Sequence, residues 1–170
     1  MDAATASFLG ATVGGATVVA AMFLGPFVGA RAARRRAHQE DLDARRRTAI
    51  INLYGALTEV RAVLYDGVHA PPDDDHIPKA AMDRITALNK ARLGAAIFVE
   101  DDLRNTIDGL RSHAWRAIAH SDSARELEAA HPKKADEKRV KASQHEVEFD
   151  VGYEPAQEAT RAALDKVRGS

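Results

Sequence analysis

The stretch IINLYGALTEVRAVL, from Ile50 to Leu64, is the clearest indication of how this chain folds. Its apolar residues recur at alternating intervals of three and four, which places them on one face of an α-helix. This seam consists of Ile50, Leu53, Leu57, Val60 and Leu64. We therefore predict a long helix from about Ala32 to Asp66 that packs the seam against other helices, and that ends before Pro71.

Further helical patterns follow downstream of a turn-rich loop, GVHAPPDDDHIP, at residues 67–78. One helix begins near Pro78, a second follows the acidic run that starts at Glu100, and a last one opens at Pro155. Amphipathic segments joined by short polar connections predict an all-α fold, an antiparallel helical bundle of three to four helices.

The segment HEVEFDVGY, at residues 145–153, does not fit this helical pattern. Val147, Phe149, Val151 and Tyr153 alternate with polar residues or glycine, which is typical of a β-strand. No other segment offers an obvious pairing strand, so the stretch is either an extended edge or the start of a helix. As an edge, these four residues are a candidate partner-binding site that works by strand addition.

Upstream of the seam, the stretch FLGATVGGATVVAAMFLGPFVGA runs from Phe8 to Ala30 without an ionisable residue. Its 23 residues are enough for a helix to cross a bilayer core, which needs about 20. We therefore predict a single N-terminal transmembrane helix ahead of the bundle.

A basic collar follows this stretch directly and consists of Arg31, Arg34, Arg35 and Arg36. Positive flanks stay on the cytoplasmic side, which places the short N-terminus outside and the large domain inside the plasma (inner) membrane. The collar would contact membrane lipids. A cleaved secretory signal is the rival interpretation, but it requires a basic region before the apolar stretch, and that region is missing.

Two glycine pairs in the predicted membrane helix, Gly10 with Gly14 and Gly25 with Gly29, have the spacing that lets two such helices approach closely. They make a homo-oligomer a candidate state. Small residues also accumulate in membrane helices without any such role.

These patterns divide the chain into five parts. They are a transmembrane anchor at 1–30, a basic juxtamembrane collar at 31–47, a helical bundle core at 48–120, a polar linker with the candidate extended segment at 121–154, and a C-terminal helix at 155–170.

Composition excludes several classes of function. The chain has no cysteine, so disulfides, thiolate catalysis and cysteine-based metal sites are ruled out. The net charge of −1 argues against a nucleic-acid partner. No phosphate-binding loop, dinucleotide fingerprint, nucleophile elbow or zinc-protease motif is present, and we expect no enzymatic activity and no cofactor.

Three groups of residues could carry chemistry, and a simpler explanation is preferred for each. His69, His76 and the aspartates between them fit a solvated, helix-capping loop better than a metal site. His113 and His120 lie two helical turns apart, too far to share a metal without help. The acidic run from Glu100 to Asp102 suits a helix start better than acid–base catalysis.

These observations predict a membrane-anchored, non-enzymatic interaction or regulatory module that binds an unknown protein partner through a cytoplasmic helical domain. The alternative is an effector of the permeabilising or exclusion type, which acts on the membrane by oligomerisation of its glycine-rich helix.

Overall fold

The computed structural model describes the backbone of residues 3–71 and 73–168, and the side chains of residues 30, 31, 33–71 and 73–167. In this part of the chain there are four helices and no strand. They are α1 (Ala3–Val68), α2 (His76–Ala95), α3 (Asp101–Leu127) and α4 (Pro132–Arg168). The chain divides into two compact units, residues 1–44 and residues 45–170, and the second contains the helical bundle.

The predicted seam of α1 is confirmed as part of the bundle core. Ile50, Leu53, Leu57, Val60 and Leu64 are each at most 2% exposed. Four of the five share one apolar cluster with the buried faces of the other helices, among them Leu88 of α2, Ile107 of α3 and Phe149 of α4. Burial of these faces removes apolar surface from water, which is the main force that holds the bundle together.

Contacts across the bundle show that neighbouring helices run antiparallel. Glu59 of α1 pairs with Arg84 of α2, and Arg92 of α2 pairs with Asp108 of α3. Along the C-terminal part of α1, Tyr54 accepts a hydrogen bond from Gln157 of α4, and His69, just beyond the end of α1, contacts Glu146 of α4. Helix α4 therefore returns along α1, in addition to packing against α3, and closes the bundle.

Local sequence signals determine where α2 begins. The Asp74 carboxylate accepts hydrogen bonds from the backbone N–H groups of His76 and Ile77, at 2.9 and 3.3 Å. These bonds satisfy two donors that the first helical turn leaves without partners. Pro78 lies in this first turn, as predicted, where a missing N–H costs nothing.

Of the two alternatives for residues 145–153, the extended edge is wrong, because α4 is helical through all of them, and they are not the start of a helix either, because α4 begins at Pro132. On a helix, residues four apart share a face, so the alternating pattern separates into two pairs on opposite sides. Phe149 and Tyr153 are 0% and 2% exposed and face the core, whereas Val147 and Val151 are 60% and 73% exposed. A strand would also have lacked a pairing partner among the described residues.

The helix boundaries that we expected before and after residues 145–153 also differ from those in the structure. Helix α3 continues to Leu127, and Pro132 occupies the first position of α4, where proline is well tolerated. Pro155 does not open a last helix but lies inside α4. It has no N–H to offer the Val151 carbonyl, yet both residues are exposed, so water can hydrate that oxygen.

No helix among the described residues has the length and hydropathy needed to cross a membrane. The side chains of the predicted span from Phe8 to Gly29 lie outside the described residues, and so do those of Gly10, Gly14, Gly25 and Gly29. The anchor therefore stays a prediction.

Candidate functional site

The most notable polar cluster lies where α3 passes α4. His113 and His120 are two turns apart on α3 and point toward α4, where His145 and Glu148 are three residues apart on one face. His145 lies between the two histidines of α3, and its ring contacts both the His113 and the His120 rings. We call His113, His145 and Glu148 the His–His–Glu triad.

The three side chains of the triad converge on one point. Glu148 Oε2 lies 2.8 Å from His113 Nδ1 and 2.8 Å from His145 Nδ1. The two Nδ1 atoms are 3.3 Å apart. On the other side of the carboxylate, Gln144 Nε2 donates a hydrogen bond of 3.4 Å to Oε1, which leaves Oε2 directed at the two imidazoles. The triad is thus a compact triangle of two nitrogens and one oxygen.

The triad is partly shielded from solvent. The side chains of His113, His145 and Glu148 are 32%, 18% and 39% exposed. The hydrogen bond from His145, together with the positive charge that His113 can carry, lowers the pKa of Glu148 below that of an ordinary glutamate. Glu148 is therefore a carboxylate at neutral pH and an acceptor for both rings.

His120 packs beside the triad without joining it. Its ring is stacked on that of His145, with centroids 5.6 Å apart and an interplanar angle of 9°. Burial, followed by the positive charge of Lys138, lowers the pKa of His120 below its usual value. The neutral form of His120 is therefore favoured at pH 7, and its ring packs on that of His145.

Imidazole nitrogen and carboxylate oxygen are the donors that borderline divalent metals such as zinc accept. Within the described residues, the triad is the one group of three or more ligand-type side chains whose donor atoms all lie within 4.8 Å of one another. The same atoms can also form an ion pair in which both Nδ1–H groups donate to Glu148. The triad could therefore hold a metal, or join α3 to α4 without one.

The sequence missed this site for an identifiable reason. His145 and Glu148, three residues apart, share a face only if the segment is a helix. The extended alternative, which the alternating pattern also allows, turns the two side chains to opposite faces. His113 was considered only with His120, and not with a residue on another helix.

The other groups singled out in the sequence have structural roles. His69 Nε2 lies 3.0 Å from Glu146 Oε2, and the His69 ring packs against that of Tyr65 at an angle of 40°, while Asp74 caps α2. Glu100 pairs with Lys166 at 2.9 Å, and this contact lowers the pKa of Glu100. Neither group converges on a common point.

The collar arginines Arg31, Arg34, Arg35 and Arg36 are all exposed. Of the four residues in the candidate partner edge, Val147 and Val151 are exposed and Phe149 and Tyr153 are buried. Strand addition requires an extended edge, so these residues cannot act in that way. What stays accessible is a helix face.

A surface depression of about 510 Å³ lies away from the triad, lined by Asp75, Pro78, Lys79 and Met82 at the start of α2 and by Asp122, Arg125 and Glu126 of α3. Arg125 is already paired with Asp122, and the depression is open to solvent. It offers a ligand no enclosed apolar surface.

Comparison with known proteins leaves the site to be judged on its geometry. No family model matches the chain. No curated protein and no solved structure shows significant similarity to it.

Proposed function

We propose that this protein is a membrane-anchored, non-enzymatic interaction or regulatory module whose helical bundle lies on the cytoplasmic side of the inner membrane. A single observation carries the proposal: residues 3–30 contain no ionisable side chain, and four arginines follow within six positions. Such a boundary is typical of a membrane helix that ends on the cytoplasmic side.

The collar would hold the module close to lipid headgroups. Arg31, Arg34, Arg35 and Arg36 are exposed, so their guanidinium groups are accessible to anionic lipids. Each basic residue near an anionic surface contributes about 1 kcal/mol of attraction. The glycine pairs in the predicted membrane helix would allow two copies of the chain to associate through their anchors.

The outer face of α4 is the part of the bundle that we propose binds a protein partner. Val140, Val147 and Val151 are 68%, 60% and 73% exposed and lie seven and four residues apart, which aligns them on one side of the helix. Gln144 lies in the same row, between Val140 and Val147, and Glu154 follows Val151, so the apolar face is narrow and interrupted by one polar residue. Because the proposed anchor would hold the bundle at the membrane, the occupant that we propose is a helix of a second membrane-associated protein.

Membrane fractionation with an alkaline carbonate wash tests the anchor. We expect the full-length chain to stay in the pellet, since the wash removes peripheral proteins. Arginine near the centre of the span costs about 2.5–3.5 kcal/mol of insertion, so Val18→Arg should move a large fraction into the supernatant. Val18→Leu is the matched control and should stay in the pellet. Release of the unmodified chain would overturn the proposal.

Photo-cross-linking in the same membranes tests the partner surface. A photoreactive residue at Val151 should give a discrete adduct, whereas one at the exposed Lys90 of α2 should not. An adduct with another membrane-associated protein supports the proposed occupant. An adduct of twice the chain's mass would identify a second copy instead, and equal patterns from the two positions would contradict a specific surface.

A further inference from the structure

We propose that His113, His145 and Glu148 form a binding site for a divalent transition metal ion of the zinc type, which cross-links α3 to α4. The inference goes beyond the proposed function and does not depend on the membrane anchor. It rests on the convergence of the three donor atoms, with separations of 2.8, 2.8 and 3.3 Å.

The triangle has the dimensions of one face of a metal coordination shell. Ligands about 2.1 Å from a metal are about 3.0 Å apart when they are adjacent in an octahedron and about 3.4 Å apart in a tetrahedron. The observed separations fall around this range. An ion about 2.1 Å from all three atoms would lie about 1 Å out of their plane. The separations between the donor atoms therefore need to change by no more than a few tenths of an ångström.

The hydrogen-bonded alternative brings the two imidazole donors close together. Both Nδ1 atoms face one carboxylate oxygen, so two N–H groups must share it while their nitrogens stand only 3.3 Å apart. If one of the two Nδ1 atoms is unprotonated instead, the remaining Nδ1–H faces two acceptors, the other Nδ1 and Glu148 Oε2. A metal ion would accept all three lone pairs at once, with each neutral ring keeping its proton on Nε2.

The surroundings both support the site and limit its affinity. Gln144 hydrogen-bonds the second oxygen of Glu148, and His120 stacks on His145, so two of the three ligands are oriented by neighbours. Lys138, Lys141 and Arg116 bring positive charge to the same region, acting on His120. One carboxylate does not neutralise a divalent ion among these charges. We therefore expect binding in the micromolar range.

Three protein ligands leave coordination positions open. The partial exposure of the triad gives water, or a donor group from another molecule, access to those positions. Because His113 belongs to α3 and the other two ligands to α4, occupancy of the site would also restrain the separation of these helices.

The test uses the purified full-length chain without a polyhistidine tag. Zn²⁺ is titrated in competition with a chromophoric chelator, and Co²⁺ is followed by its visible absorption. We expect saturable binding of one ion per chain. The intensity of the Co²⁺ spectrum reports the coordination number, since four-coordinate sites absorb strongly and six-coordinate sites weakly.

Ligand variants decide whether binding occurs at the triad. Loss of a group that only orients a ligand weakens metal binding by about 10–100-fold, so His145→Gln and Glu148→Gln should each weaken it by at least about tenfold. His131→Gln, an exposed histidine in the α3–α4 connection, is the matched control and should bind like the parent. Far-UV circular dichroism confirms that each variant is helical.

Stability provides a second readout. An ion that binds only the folded state raises the midpoint of thermal unfolding with the logarithm of its excess over Kd. At the same Zn²⁺ concentration, the rise should be the same in the parent and in His131→Gln and clearly smaller in His145→Gln. The proposal is overturned if Zn²⁺ and Co²⁺ show no saturable binding below millimolar concentration, or if the triad variants bind as tightly as the parent.

Discussion

Single residues mark how closely the helices of this bundle approach one another. Gly67, in the last turn of α1, is buried where α1 meets both α2 and α3. A Cβ atom at this position would stand 2.7 Å from the Cβ of Ala81 and 2.6 Å from Cδ1 of Ile118. The alanine carbon cannot rotate away because it is attached directly to the backbone. Gly67 therefore serves close packing, and not only the helix end that the sequence indicated.

We expect Gly67→Ala to destabilise the bundle by about 1–3 kcal/mol, the usual cost of overpacking a core. Gly55→Ala in the same helix is the matched control, since a Cβ there meets nothing within 4 Å. It should stabilise by about 0.5–1 kcal/mol, because alanine loses less backbone entropy in a helix. Urea unfolding measures both changes, and equal effects from the two substitutions would refute the close approach.

The triad contains one pair of residues that a local sequence pattern can predict and one contact that it cannot. His145 and Glu148 could have been found as a helical pair three residues apart. Their meeting with His113, 32 positions away from His145, depends on the register between α3 and α4. Register is set by the packing of apolar faces, and no local pattern near His113 encodes it.

Among the helices, α4 differs most from what the sequence pattern predicted. Strict alternation over a few residues is compatible with a helix when the apolar positions fall into two pairs four apart. In α4 one pair, Phe149 and Tyr153, fills the core, and the other, Val147 and Val151, remains exposed. The residues on both sides of this segment are helical, within α4 from Pro132 to Arg168. Because helix formation is cooperative, they favour the helical conformation of the segment as well.

The helical phase of α4 makes a direct prediction. Phe149→Ala should cost about 3–5 kcal/mol, because it empties a fully buried site. Val147→Ala should change stability by less than about 0.5 kcal/mol, because Val147 lies on the surface. In a two-stranded edge the two residues would share one face and respond alike. Chemical denaturation of the two variants therefore separates the helix from the strand, and similar losses would contradict the helix.

For the molecule as a whole, the buried side chains among the described residues belong to the second unit, residues 45–170. Its core draws on all four helices, so the bundle should unfold as one cooperative body. Between residues 33 and 44 the side chains of α1 are exposed throughout. A helical segment with exposed side chains gains little stability from apolar burial and opens more easily than a buried one.

Hydrogen exchange should reveal this difference along one helix. Amides at residues 33–44 are expected to exchange much faster than those at residues 50–64, whose seam is buried. Exchange of the full-length chain, read by mass spectrometry of its peptides, measures both segments in one sample, so each serves as the other's control. Comparable protection in the two segments would mean that residues 33–44 are covered in solution.

The sequence by itself determined the helical class, the seam of α1, the starts of α2 and α3, and the exclusion of cysteine chemistry. These features depend on residues close together in the chain, through periodicity, capping and turn chemistry. The continuity of α4, the tight packing at Gly67 and the triad were decided only by the tertiary structure. Each depends on which helix lies beside which and in what register, and that is settled by the joint packing of apolar faces from distant parts of the chain.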